Sequence, residues 1–159
     1  IIALMTFIFM RRIHIYREMD YKQLNYNLND VLPGTMFIKT NMNTYNFLKD
    51  LNTAKEKVLN EGKKYSILPD NAITWAMSEQ PNPISLDWPS NTELANEELV
   101  NKIANELRTQ RGQIVVIVQK YEANSLALGF KRLSRYKIVD FVKKNFNKTG
   151  ETVYFELYE

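Results

Sequence analysis

The chain has 159 residues and no cysteine, so disulfide bonds and thiolate chemistry are both excluded. Its one histidine, His14, lies near the N-terminus, which excludes a metal site built from several histidines and disfavours a histidine general base in the later, folded part. The formal net charge of +3 is too small to indicate nucleic-acid binding. We therefore expect no metal ion and no nucleic-acid partner.

Glycine is also scarce, with five residues in the whole chain. A phosphate cradle needs glycines that let backbone amides approach the ligand closely, and the turn at residues 40–43, after the first predicted strand, has none. The dinucleotide fingerprint and the Walker motif are both absent from the sequence. We therefore predict that the chain binds no nucleotide and no other cofactor.

The first ten residues, IIALMTFIFM, are apolar except for Thr6, and the pair Arg11 and Arg12 ends the run. Ten helical residues reach about 15 Å, roughly half the hydrocarbon core of a bilayer. A buried core helix is the alternative, but the segment has no polar face to turn to water. The interpretation is therefore the end of a transmembrane helix at 1–12, a juxtamembrane connector at 13–34 and a soluble α/β domain at 35–159.

Within that domain, strand-like and helix-like patterns alternate. We predict strands near 35–40, 64–69, 113–120 and 152–158, with an amphipathic helix before each of the last three. The first of these helices is predicted to be capped by Asn43 or Thr44, and the next to open at a capping box of Ser90 and Glu93.

Such alternation is typical of parallel sheets covered by helices. The predicted fold is a three-layer α/β sandwich with a mostly parallel, Rossmann-like sheet of about four strands. The first three strands are expected to be mutually parallel with the third central, and the last to be antiparallel at an edge.

Four residues are candidates for ligand contact. Asp70, after the second strand, and Asp87, in the proline-rich loop 80–89, are a possible carboxylate pair, although an aspartate in this position often forms a turn. Trp75 and Trp88 have rings suited to stack on a sugar, but two tryptophans near such a loop more often anchor it. We favour the anchoring role and predict that Trp88 is buried. No residue is assigned to catalysis.

The order of motifs resembles a known family. Tyr-Arg-Glu at 16–18 follows the apolar segment, IKTNxxTYxFLxDL stands at 38–51, ILPD at 67–70, NPISLDWPSNTEL at 82–94 and TVYFELY at 152–158. Together these resemble the C-terminal soluble domain of bacterial polytopic membrane proteins related to GT-C glycosyltransferases, the class that contains dolichyl-phosphate-mannose–protein mannosyltransferase-like enzymes. The resemblance spans nearly the whole chain, and none of its motifs is a catalytic signature.

The resemblance implies that this chain is a non-catalytic accessory domain in the cell membrane, with the catalytic residues in an N-terminal membrane part that uses a polyprenyl-phosphate-linked sugar. Its implied partners are the rest of its own chain and a lipid-linked sugar or glycan acceptor. Such domains usually face outside the cell, and we keep the extracytoplasmic side, although Arg11, Arg12 and Arg17 beside the membrane segment favour the cytoplasm. The alternative is a membrane-tethered binding or interaction module with no enzymatic role.

Overall fold

The structure, a computed structural model, describes residues 2–13, 21–76, 78, 80–126 and 129–159. The predicted connector therefore lies partly outside the described residues, at 14–20, which include Arg17. The helices are α1 (Ile2–Ile13), α2 (Met42–Asn60), α3 (Ala72–Ala76), α4 (Glu97–Thr109) and α5 (Lys137–Asn145). The strands are β1 (Tyr26–Asn27), β2 (Lys39–Thr40), β3 (Lys64–Leu68), β4 (Ile114–Gln119), β5 (Lys148–Glu151) and β6 (Phe155–Tyr158).

The main sheet has four strands in the order β3-β4-β6-β5. Strands β3 and β4 are parallel, with Lys64 opposite Ile114, and β6 runs antiparallel to β4 and to β5. The fold is therefore mixed α/β. The predictions of strands near 64–69 and 113–120, of their parallel pairing and of an antiparallel last strand are confirmed.

Two details of the predicted sheet are wrong. Residues 35–40 do not join it, because only Lys39–Thr40 is extended and pairs with Tyr26–Asn27 in a separate two-stranded sheet. The last strand does not lie at the edge, since the predicted turn NKTGE supplies β5, which pairs with β6 through a register shift between Lys148 and Gly150. The sheet is consequently mixed rather than mostly parallel.

Apolar side chains cover both faces of the sheet. Along β4, Val115 and Ile117 point to the face covered by α2, and alternate residues such as Val116 point to the face covered by α4 and α5. All six residues of β4 are buried, as expected for a nearly continuous apolar strand with helices on both sides. The sequence pattern of this strand thus determines where the core lies.

Two helix starts differ from the predicted ones. The cap of α2 is Asn41, whose Oδ1 accepts a hydrogen bond from Thr44 N at 2.9 Å, rather than Asn43 or Thr44. Ser90 does donate to the carboxylate of Glu93, but this pair opens only a one-turn 3-10 helix. Helix α4 begins later, with Asn96 as its cap, because Leu94 breaks the helical backbone.

The N-terminal region contains both exposed and buried apolar residues. The apolar side chains of α1 are exposed, at Ile2, Leu4, Met5, Phe7, Ile8, Phe9 and Met10. Among the described residues, no helix has the length and apolar character needed to cross a membrane. In the predicted connector, Val31 and Leu32 are buried, and Asn52 Nδ2 in α2 donates to Val31 O at 2.7 Å. The end of that segment therefore packs onto α2.

Candidate binding site

Parallel strands β3 and β4 end at the same edge of the sheet, which we call the carboxyl edge. Asp70 and Asn71 follow β3, and Gln119 is the last residue of β4. Helix α2 begins at this edge, since Asn43 Nδ2 donates to Leu126 O at 3.0 Å, in the loop that follows β4. In open α/β sheets, ligands bind at the carboxyl ends of the strands.

A buried pair of amides lies at this edge. Asn71 Nδ2 donates to Gln119 Oε1 at 2.7 Å, and the two side chains are 6% and 0% exposed. In the part of the chain that the structure describes, Gln119 Nε2, Thr74 Oγ1 and Trp75 Nε1 are buried without a hydrogen-bond partner. Since each such group costs about 1–3 kcal/mol, several together favour a place where a ligand or ordered water supplies partners.

Glu122 adds a buried carboxylate just beyond β4. Its Oε1 accepts from Ser134 N at 2.6 Å and its Oε2 accepts from Tyr136 OH at 3.2 Å. Burial is the main cause that raises the pKa of Tyr136, and the negative charges of Glu122 and Asp70 raise this pKa further. The phenol therefore stays protonated and donates to Glu122, with Asp70 close enough for its charge to act on the ring hydroxyl.

The loop after Glu122 surrounds an open depression with a volume of about 530 Å³. It is lined by Asn124, Ser125, Gly129, Phe130 and Lys131. Ser125 Oγ donates to Glu122 O at 2.8 Å and accepts from Lys131 N at 3.1 Å, so the hydroxyl holds the two sides of the loop together.

An aromatic cluster lies beside this depression. The ring of Phe130 is 43% exposed and lies 5.4 Å from the ring of Tyr121 and 5.3 Å from that of Tyr154, measured between centroids. The guanidinium of Arg132 lies 5.1 Å from the centroid of Tyr121. The site therefore combines an exposed aromatic ring with amide, hydroxyl and cationic groups.

Two of the residues expected to contact ligand, Asp70 and Trp75, lie near the carboxyl edge. Trp75 is buried and stacks on Tyr65 at 5.4 Å, so its ring is a core contact rather than a surface for a sugar. Asp87 lies in the proline-rich loop, where its Oδ1 accepts from Asn82 Nδ2 at 3.1 Å. This bond gives Asp87 the turn-forming role considered from the sequence.

The prediction that Trp88 is buried is wrong, because its side chain is 47% exposed. Smaller groups hold the loop instead. Ile84 is 3% exposed, and Asn82 Oδ1 accepts from Ser66 Oγ in β3 at 3.1 Å. Gln110 Nε2, directly after α4, donates to Pro83 O at 2.7 Å. With these anchors in place, the loop does not need the indole ring in the core.

Sequence reasoning missed Gln119, Thr74 and Glu122. Gln119 was part of an apolar run, and a polar residue at the end of a buried strand was the available signal. The described residues contain no group of three or more histidine, aspartate or glutamate side chains placed to hold a metal ion. Comparisons with family models, with curated proteins and with solved structures find no match to this chain.

Proposed function

We propose that the chain is a non-catalytic, membrane-associated binding domain that takes a sugar or glycan in the depression at its carboxyl edge. The observation that carries the proposal is the exposed ring of Phe130 beside Asn124 and Ser125 in one depression. A sugar offers an apolar ring face to an aromatic plane, and its hydroxyls need donors and acceptors around that plane. The lining supplies both kinds of contact.

The charged and polar residues of the lining support the same ligand class. Lys131 also lines the depression, and its ammonium group suits a phosphate or carboxylate carried by a sugar. Asn124 and Ser125, in the same lining, offer an amide and a hydroxyl. These neutral groups recognise hydroxyls by hydrogen bonding, which is a binding function rather than acid–base catalysis.

The resemblance extends this proposal to a longer protein. We propose that this longer protein is a membrane glycosyltransferase that uses a polyprenyl-phosphate-linked sugar. The chain is then its accessory, extracytoplasmic domain, whose sheet and helices form a three-layer, Rossmann-like fold. The alternative is a membrane-tethered interaction module with no enzymatic role. Eight or more apolar spans encoded upstream of Ile1, with an acidic residue in the first long loop, support the transferase, and a single span supports the tethered module.

Ligand binding is tested by titrating the chain with neutral and phosphorylated monosaccharides and with oligosaccharides, followed by nuclear magnetic resonance. We expect shifts at residues 122–131, and Phe130→Ala is expected to weaken binding about tenfold, the loss of one aromatic contact. Trp88→Ala is the matched control, because it removes a half-exposed aromatic ring from a different loop. Equal weakening by both variants, or no shifts with any sugar, contradicts the proposal.

A further inference from the structure

Three consecutive apolar residues, Met36, Phe37 and Ile38, form an exposed turn that we call the apolar tip. Their side chains are 64%, 92% and 52% exposed, and Met42, at the start of α2, is 53% exposed. Phe37 has φ of +69°, in the left-handed region that residues with a side chain rarely adopt. The tip is therefore both apolar and conformationally unfavourable.

The base of the tip is firmly held. Ile38 N donates to Thr35 O at 3.1 Å, and Ile38 O accepts from Leu28 N at 2.9 Å. Thr35 is buried, and its Oγ1 donates to Leu32 O at 2.6 Å, next to the buried Val31. These contacts fix the backbone below the three side chains, so the tip is a preformed projection of the fold.

Neither packing nor backbone preference explains a phenylalanine at position 37. The ring gains almost no burial within the chain, and glycine or asparagine would adopt this backbone conformation at lower cost. The fold gives Phe37 neither burial nor a preferred backbone conformation, yet holds it in a rigid position. This combination indicates that the side chain contacts another molecule.

We propose that the apolar tip inserts into the interfacial layer of a lipid bilayer. A convex projection of adjacent apolar side chains suits a fluid apolar phase, whereas a protein partner is usually matched by a larger, flatter surface. The exposed Lys39 follows the tip directly and suits anionic headgroups, although the exposed Asp30 lies in the same segment. The chain also carries a second exposed apolar feature in α1, within its first 13 residues.

The membrane contact is tested with the full chain bound to vesicles of phosphatidylcholine, with and without phosphatidylglycerol. Because the chain contains no cysteine, Phe37→Cys accepts a single nitroxide or bimane label at the tip. Leu59→Cys is the matched control, since Leu59 is a half-exposed apolar residue at the other end of α2, about 25 Å along the helix axis. We expect the label at position 37 to be shielded from aqueous quenchers and reached by lipid-attached ones, and the label at position 59 to show the reverse.

Three results of the vesicle experiment overturn the proposal. One is a vesicle-bound chain whose label at position 37 remains in water. Another is spin–spin broadening between labels at position 37 with no contact to lipid, which assigns the tip to a second copy of the chain. The last is a chain that does not bind vesicles at all. The sugar titration uses no vesicles, so its outcome is independent of all three.

A second variant separates a lipid contact from a structural role. Phe37→Gly, combined with a label at Met36→Cys, is expected to reduce shielding of that label from water without lowering the thermal unfolding midpoint. A lower midpoint with unchanged shielding would show that Phe37 serves the fold, and the proposal would then be wrong.

Discussion

The buried amide pair of Asn71 and Gln119 gives the sharpest test of how the carboxyl edge is built. Asn71→Leu keeps the side-chain volume but removes the donor, so Gln119 Oε1 becomes unpaired in addition to Nε2. We expect the free energy of unfolding to fall by about 2–4 kcal/mol, from the lost hydrogen bond and one more buried unpaired group. Equilibrium urea unfolding, followed by circular dichroism, measures this change.

The other single variant and the double variant complete the cycle. Gln119→Met removes the unpaired Nε2 but leaves Asn71 Nδ2 without its acceptor, so one unpaired buried group replaces another. We therefore expect a loss of only about 1 kcal/mol, that of the hydrogen bond itself. The double variant replaces both amides with apolar groups of similar volume, and its stability should return to within about 1 kcal/mol of the parent. If Asn71→Leu unfolds at the same urea concentration as the parent, or the two single effects simply add, the reasoning from unpaired buried amides is refuted.

Three further predictions concern other parts of the molecule. Phe37→Gly should leave the free energy of unfolding unchanged or raise it by about 0.5–1 kcal/mol, because relief of the left-handed backbone outweighs the greater freedom of glycine in the unfolded chain; a clear loss in urea unfolding would contradict this. Trp75→Ala should lower the free energy of unfolding by about 3–5 kcal/mol as a core deletion, whereas Trp88→Ala, at a half-exposed site, should lower it by less than about 2 kcal/mol. Equal shifts of the thermal unfolding midpoint would show that exposure does not explain the difference between the two rings. Burial opposes ionisation of Glu156, but hydrogen bonds and charges from Lys143 and Lys148 outweigh it and lower the pKa of Glu156 from 4.5 to about 2. Because this pKa is lower in the folded than in the unfolded state, the stabilisation is complete above pH 4.5 and is lost as the pH falls towards 2. Glu156→Gln should remove that part of the pH dependence of the free energy of unfolding. An acid-unfolding profile that does not change in this variant would count against the ion pairs.

The elements that the sequence predicts well are those whose pattern alone requires burial. The run that forms β4 has no polar face, and the stripes of α2 and α5 recur at helical spacing, so their places in the core follow directly. The two elements that it predicts badly depend on tertiary contacts. Residues 35–38 have strand-like composition, but the turn at Phe37 directs them outward. The segment NKTGE has turn-like composition, but it forms a strand because β6 provides backbone hydrogen-bond partners for it.

The sequence points towards the carboxyl edge, but it does not single out Asn124, Ser125 or Phe130, which line the depression. A sequence with two predicted parallel strands points to their carboxyl ends, and Asp70 was found in that way. Gln119 and Glu122 were not found, because their importance lies in burial and in partners distant in sequence, such as Asn71 and Tyr136. Trp88 drew attention by its residue type, although its position in the loop leaves half of the ring in water.

The first turn of α2 has a consequence for how a ligand is found. Met42 follows the apolar tip by four residues, and Asn43 donates to Leu126 in the loop that surrounds the depression, so one helix end carries both surfaces. If the tip inserts as proposed, α2 would tie the loop of the depression to the membrane-bound part of the fold. A lipid-linked sugar would then be met by two-dimensional diffusion, whereas a free sugar of identical chemistry would have to arrive from bulk solution. Discrimination between the two would come from location rather than from the shape of the depression.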